Sequence, residues 1–343
     1  MHKLIKMQSY LVPDMLKQMQ KRYQILRSIN MTEPVGRRTL AEMLGMTERV
    51  LRSEAEFLKT QKLIDAKTIG MIVTAKGKKL LIELEEMMRE ISGINLIEEQ
   101  LTEILGIQKV IIVPGDSDET NFVKEEIGKA CADMLASCLG KENVIAVTGG
   151  TTMACTAQML TRKMGEGRKM LFVPARGGIG EDVKNQANVI CATMAEKTGG
   201  THRVLYVPDQ VGREAYESLL KEPTITEVLD IINSSSIVLH GIGDAITMAQ
   251  RRRTEESVMK IIVEENAVGE AFGYYFNENG EIVHKVPTIG MQIEDLESKR
   301  YVIAAAGGKS KAKAIKSYLK SAPTKTILIT DEGAAKEFLK GAS

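Results

Sequence analysis

The chain is poor in the residues that build metal sites and covalent frameworks. Only four of its 343 residues are cysteine and four are histidine. Cys131, Cys138, Cys155 and Cys191 form no C-x-x-C pair and have no histidine at ligand spacing. The pattern therefore signals neither a zinc site nor a disulfide framework, and small buried thiols in a reducing cytosol are expected. A signal-peptide pattern is missing, and no apolar run is long enough to span a bilayer. A cytoplasmic protein without a membrane partner is expected. Net charge is nearly absent as well, at +1, and points to no partner by itself.

The distribution of that charge says more. Residues 1–79 carry 16 Lys and Arg against 7 Asp and Glu, and the remainder carries 30 against 38. A basic head that meets an anion, joined to a body with another task, is one reading; a merely solvated basic surface is the other. Length favours two or more domains, and 43% hydrophobic with 27% charged residues is ordinary for a globular protein.

In the head, Met15, Leu16, Met19, Tyr23, Leu26 and Ile29 recur at helical spacing from Asp14 onward. Pro34 and Gly36 break the chain, and "RRTLAEMLGMTERVLRSEAEFLKTQKLI" follows from Arg37. There Thr39 can cap a short helix through Leu44, Gly45 ends it, and Thr47 caps a second helix beginning at Glu48. Two helices joined by a short glycine-containing turn make a helix-turn-helix. On the second, Val50, Leu51, Ala55 and Leu58 are expected to face inward, and Arg49, Arg52, Ser53 and Glu56 outward toward base edges. Arg37, Arg38 and Lys59 suit phosphates. "LIDAKTIGMIVT" then reads as a hairpin with Lys67 near its tip, so residues 1–76 are expected to form a winged helix-turn-helix domain whose partner is double-stranded operator DNA. The expected DNA contacts are Arg37, Arg38, Thr47, Arg49, Arg52, Ser53 and Lys67. Residues 77–105 keep helical spacing on both sides of Gly93. They are expected to be a helical linker, a possible dimerisation segment, because a symmetric operator calls for a homodimer or homotetramer.

From Lys109 onward, residues 106–343 repeat one pattern, a short apolar run stopped by a turn and often followed by a helical stretch. The runs are "KVIIVPGDS", "NVIAVTGGTT", "KMLFVPARGG", "RVLYVPDQ", "SSIVLHGIGD", "YVIAAAGGKS" and "KTILITDEG". This predicts an α/β domain with a Rossmann-like parallel sheet covered on both faces. Ligands of such sheets bind beyond the carboxyl ends of the strands. Gly149, Gly150, Thr151 and Thr152 lie there, as do Arg176, the Gly241 and Gly243 pair, and Gly307, Gly308, Lys309 and Lys311. Glycines, helix N-termini, hydroxyls and cations together suit a phosphate, although glycines needed only for tight turns would look alike in any single loop.

"GGKS" is not a P-loop, because Ile303 stands where the pattern needs its first glycine, and "GIGDAI" lacks the third small residue of a dinucleotide fingerprint. No metal-ligand spacing or nucleophile elbow is present. His240, Asp244, Glu270 and Glu181 remain as acid-base groups. A sugar-phosphate isomerase or deaminase using this rim is therefore the alternative to a receptor, which alone accounts for a DNA-binding head.

The stretches "LVPDML", "MTEPVGRR", "VTGGTT", "FVPARGGIGEDVKNQAN", "HGIG", "TMAQRR", "EAFGYYFN" and "TDEGAAK" run nearly end to end and resemble the SorC/DeoR-type bacterial transcriptional repressors, specifically their glycolytic-gene branch. The resemblance implies that the C-terminal domain is similar to sugar-phosphate isomerases and deaminases, with no catalysis and no cofactor. It implies fructose 1,6-bisphosphate, or a related phosphorylated sugar, as the effector, and repression of an operon beginning with glyceraldehyde-3-phosphate dehydrogenase. By matching motifs it places effector contacts on Gly149, Gly150, Thr151, Thr152, Arg176, Gln186, Arg251, Arg252, Glu270 and Lys311. Arg253 and Lys309 are extra cations beside those motifs and leave the division of work between Lys309 and Lys311 open.

Overall fold

Pro13 presets the helical backbone angle at a position where its missing N–H costs nothing, and helix α1 runs Pro13–Thr32. The computed structural model describes residues 11–178, 182–208 and 212–340; Glu181 lies outside them. The chain divides into two compact units, Met1–Ile97 with Glu119–Phe122, and Glu98–Asp118 with Val123–Ser343.

In the first unit, α2 (Arg37–Met43) and α3 (Glu48–Thr60) form the helix-turn-helix. Gly45 takes the left-handed conformation, φ 60°, that turns the chain between them. Thr47 caps α3 through its hydroxyl, which accepts from Val50 N–H. Thr39, expected as a cap, lies inside α2, whose cap residue is Gly36. The antiparallel hairpin of β1 (Ile64–Lys67) and β2 (Gly70–Val73) is the wing. Glu33 pins its second strand by accepting from Val73 N–H at 2.6 Å and pairing with Lys78 at 2.7 Å. Ile25, Leu26, Ile29, Leu40, Leu51, Leu58 and Ile64 close the core; each fully buried aliphatic side chain contributes about 1.5–3 kcal/mol. Val50, expected inside, is 38% exposed, because one step along the helix from Leu51 turns it about 100° away from the core. Helices α4 (Ala75–Ile91) and α5 (Ile94–Leu105) follow, with Gly93 between them.

The second unit is built on a seven-stranded sheet of order β3–β13–β12–β7–β4–β5–β6, parallel throughout. Its strands are β3 (Lys109–Val113), β4 (Glu142–Val147), β5 (Lys169–Pro174), β6 (Thr201–His202), β7 (Ile237–His240), β12 (Tyr301–Ala305) and β13 (Thr326–Asp331). Their apolar runs are buried on both faces, as parallel packing demands. Helices α6 (Asn121–Cys138), α7 (Thr151–Met159) and α9 (Ala187–Thr198) supply Ile127, Leu135, Met153, Ile190 and Met194 to the same core as Ile145, Phe172, Leu239 and Ile303; the short α8 is Arg162–Gly165. Cys131, Cys138 and Cys191 are buried, and all four thiols are free. The β3 edge is blunted where Glu98 and Thr102 accept from the N–H groups of Ile112 and Val110.

Two features differ from the expected pattern. Residues 203–208, the described part of "RVLYVPDQ", form no strand of the sheet; β6 stops at His202, and Asn188 takes over the ladder by bonding both the N–H and the carbonyl of Leu205. A second, antiparallel sheet of order β11–β10–β9–β8 is also present, formed by β8 (Gly243–Asp244), β9 (Ala267–Ala271), β10 (Tyr274–Asn277) and β11 (Ile282–Lys285). The second unit is thus mixed rather than purely parallel.

Candidate functional site

Strands β4, β5 and β6 lead outward from the middle of the parallel sheet, and the chain then returns to lay β7 against the other side of β4. This reversal of strand order opens a crevice at the carboxyl ends, where adjacent loops diverge. A cavity of about 350 Å³ occupies it, within the size of small-molecule sites. The ten residues that the family resemblance marks as effector contacts line it: Gly149, Gly150, Thr151, Thr152, Arg176, Gln186, Arg251, Arg252, Glu270 and Lys311.

Gly150 is the cap residue of α7, with φ 122° and ψ 160° and no side-chain cap. That backbone is one a β-carbon resists. Its own N–H donates to Asn185 carbonyl at 2.8 Å, so the amides turned to the crevice are those of the first turn of α7, starting at Thr151. A helix N-terminus carries partial positive charge.

Arg176, Arg252 and Glu270 form a buried cluster. Glu270 Oε1 accepts from Arg252 Nη2 at 2.9 Å and from Gly273 N–H at 2.6 Å, and Arg176 Nη1 stands 3.5 Å away. Arg252 Nη1 also donates to the Tyr275 hydroxyl at 3.0 Å. Glu270 therefore holds arginine. Arg176 is seated through its backbone, which bridges to Gly290, with Met291 N–H donating to Ala175 carbonyl at 2.7 Å. Arg251 and Arg252 end helix α12 (Ala245–Arg251; α10 is Arg213–Leu219 and α11 Pro223–Ser234), whose start is capped by Asp244 through Thr247 N–H and hydroxyl.

Lys311 lines the cavity, whereas Lys309 is exposed and stands outside the lining. Burial holds the Lys311 ammonium below the usual lysine range, and Lys124 and Arg251 push the same way against Asp118 and Asp244. The lining as a whole sets four cations against Asp182 and Glu270.

The "GGKS" turn differs from its expected role. Its amides are taken by carboxylates: Gly308 N–H by Asp331, Lys309 N–H by Asp116 and Ser310 N–H by Asp118, at 2.7, 3.3 and 2.7 Å. Gly307, Gly308 and Lys309 thus frame Lys311 and offer no cradle of their own. His240 is fully buried and occupied on both ring nitrogens. Nδ1 donates to Gly241 carbonyl at 3.1 Å, which leaves Nε2 to accept from the Tyr318 hydroxyl at 3.0 Å. Burial pushes its pKa down to about 4, against smaller opposing effects of Gly241 and Glu270. Among the described residues, no group of three His, Cys, Asp or Glu could hold a metal ion. Sequence reasoning missed Met153, Ile242, Met248 and Phe272 in the lining and Lys124 beside Lys311; only Phe272, in the "FG" turn between two apolar runs, carried a legible signal.

In the first unit, Arg37, Arg38, Thr47, Arg49, Arg52, Ser53 and Lys67 are all exposed. The groove between α3 and the wing is lined by Arg37, Lys59 and Lys67, with Ile69 71% exposed at the wing tip. Helix α3 is fastened to α1 by Glu54, whose carboxylate accepts from Gln18 at 2.7 Å and from Lys21 and Arg22 at 2.9 Å each.

The family described as "Putative sugar-binding domain" matches residues 89–340, and the CggR N-terminal DNA binding domain matches residues 18–88. The central glycolytic genes regulator of Priestia megaterium is 53% identical over 99% of both chains, and that of Bacillus subtilis 52% identical over 99% of both. A SorC family transcriptional regulator structure from Enterococcus faecalis is 51% identical, covers 71% of this chain and 99% of its own, and superposes with a TM-score of 0.68. The chain belongs to the central glycolytic genes regulator family of SorC/DeoR-type transcriptional regulators.

Proposed function

We propose that the protein is a DNA-binding repressor of glycolytic genes, with an operon headed by glyceraldehyde-3-phosphate dehydrogenase as its target and fructose 1,6-bisphosphate as the effector that modulates operator binding. The observation that carries the effector reading is the convergence of Thr151, Thr152, Arg176, Arg251 and Lys311 on one cavity beside the N-terminus of α7. A bisphosphate brings about −3 to −4 charges, which the cation excess of the lining offsets in part, with the N-terminus of α7 adding to it. The exposed arginines of α3 and the basic wing support operator DNA as the partner.

Residues 1–76 are taken as the DNA-binding domain, 77–105 as the linker and 106–343 as the effector domain. Exposed Ile82, Leu96 and Ile104 in the linker support a homo-oligomer. No described helix is long and apolar enough to cross a membrane, and a repressor works beside its DNA in the cytoplasm. A likeness to sugar-phosphate isomerases and deaminases is part of the same proposal, supported by the position of the cavity beyond the strand ends; His240, tied on both nitrogens, favours sensing over turnover. The effector moves DNA affinity only by binding one arrangement of the protein better; a swing from 1:99 to 99:1 requires about 10⁴-fold preference.

The test is a thermal-shift screen of glycolytic phosphates, followed by operator binding with and without each hit. At a hundred times its dissociation constant a ligand stabilises by about 2.7 kcal/mol, about 5–10 °C for a domain of this size. Arg176→Ala is expected to weaken fructose 1,6-bisphosphate about ten- to hundredfold. Unchanged affinity in that variant refutes the site, and hexose-phosphate turnover abolished by His240→Ala refutes the receptor.

A further inference from the structure

A two-residue turn, Phe272–Gly273, joins β9 to β10, and both residues have positive φ, 54° and 84°. Such hairpin turns are the province of Asn, Asp and Gly at the first position; a bulky aromatic there is an outlier. The surroundings impose it. Gly273 N–H donates to Glu270 at 2.6 Å, its carbonyl accepts from Val286 N–H at 2.9 Å, and a β-carbon on Gly273 would stand 3.2 Å from Arg176 Nη2. The same carboxylate that holds Arg252 therefore holds the turn.

Phe272 is 3% exposed, its ring centroid lies 4.9 Å from that of His240, and it lines the cavity together with Met153, Ile242 and Met248. A site for phosphate alone needs donors and cations. Apolar side chains among them imply a ligand with a carbon skeleton, and an aromatic held in a conformation that a smaller turn residue would adopt at lower cost implies that the ring itself is used.

We propose that Phe272 is the specificity-determining residue of this cavity: its ring packs on the C–H face of the ligand, so the site prefers a phosphorylated sugar to a bare phosphate or polyphosphate. The inference rests on the effector reading above. In calorimetric titrations of the full-length chain, Phe272→Asn, which suits the left-handed turn, is expected to weaken fructose 1,6-bisphosphate about tenfold, or about 1.4 kcal/mol. Phe272→Tyr, which keeps the ring, stays within twofold of wild type. Inorganic pyrophosphate is expected to bind both variants within twofold of its wild-type affinity. Equal losses in the Asn and Tyr variants, no loss in either, or a parallel tenfold loss of pyrophosphate in Phe272→Asn overturns the proposal. Wild-type protein that binds no fructose 1,6-bisphosphate overturns the effector reading and this inference together.

Discussion

Replacing Glu54 by glutamine removes the charge that fastens α3 to α1. Glu54 is 8% exposed and accepts three hydrogen bonds, two of them from Lys21 and Arg22. Burial alone would raise its pKa, but the bonds from Lys21, Arg22 and Gln18 outweigh it and lower the carboxyl from 4.5 to about 2. At roughly 1.4 kcal/mol per pH unit, linkage gives about 3 kcal/mol. Lys21 and Arg22 each keep 31% of the side chain exposed, so solvent screening reduces the expected loss to about 2 kcal/mol. Because the folded pKa is depressed, this stability is fully present above about pH 4.5 and disappears as the pH falls toward 2. Hydrogen exchange in residues 48–60 of the full-length protein measures it. Wild type and Glu54→Gln should differ by about 2 kcal/mol at pH 7, and the gap should close between pH 4.5 and 2. A gap below about 0.5 kcal/mol at pH 7, or one that widens on acidification, refutes the reasoning.

Glu270→Gln strands the buried guanidinium groups of Arg252 and Arg176 without their carboxylate, with an expected cost of about 3–5 kcal/mol; denaturant titration should show it, and added phosphate should stabilise the variant more than wild type. His240 is held neutral by burial with a pKa of about 4 against the usual 6.5. Its native state resists the proton that the unfolded chain accepts, so its contribution is intact above pH 6.5 and declines toward pH 4; His240→Phe should flatten that part of the stability profile in urea melts. Arg52→Ala should lose sequence discrimination in a footprint, whereas Arg38→Ala should weaken all sites alike and reduce the salt slope by about one; identical footprints and salt slopes for both would overturn the recognition-helix assignment.

The helix-turn-helix was legible because its signals are local: Gly45 at a left-handed turn, Thr47 at a cap, and apolar spacing through Leu51, Ala55 and Leu58. Thr39 was misread because the helix is capped three residues earlier, at Gly36, and Val50 because a neighbour of buried Leu51 is turned about 100° away from the core. In the body, the apolar runs marked six of the seven parallel strands. The seventh slipped because Asn188, fifteen or more residues away, supplies the bonds that Leu205 would otherwise find in a strand.

The sequence by itself determined the helix-turn-helix, six of the seven parallel strands, that the head is basic, and which turns carry glycine, hydroxyl or cation, since propensity, periodicity and charge act over a few residues. Tertiary structure decided what those turns become. Placing β7 against β4 joins the Gly150 turn to Arg251 and Arg252, about a hundred residues further on, around one cavity. The same packing occupies the Gly308 amide with Asp331, ties His240 to Tyr318 and sets Glu270 between two arginines. Such pairings follow from strand order and burial, which depend on crossovers between distant segments and leave no trace in local spacing.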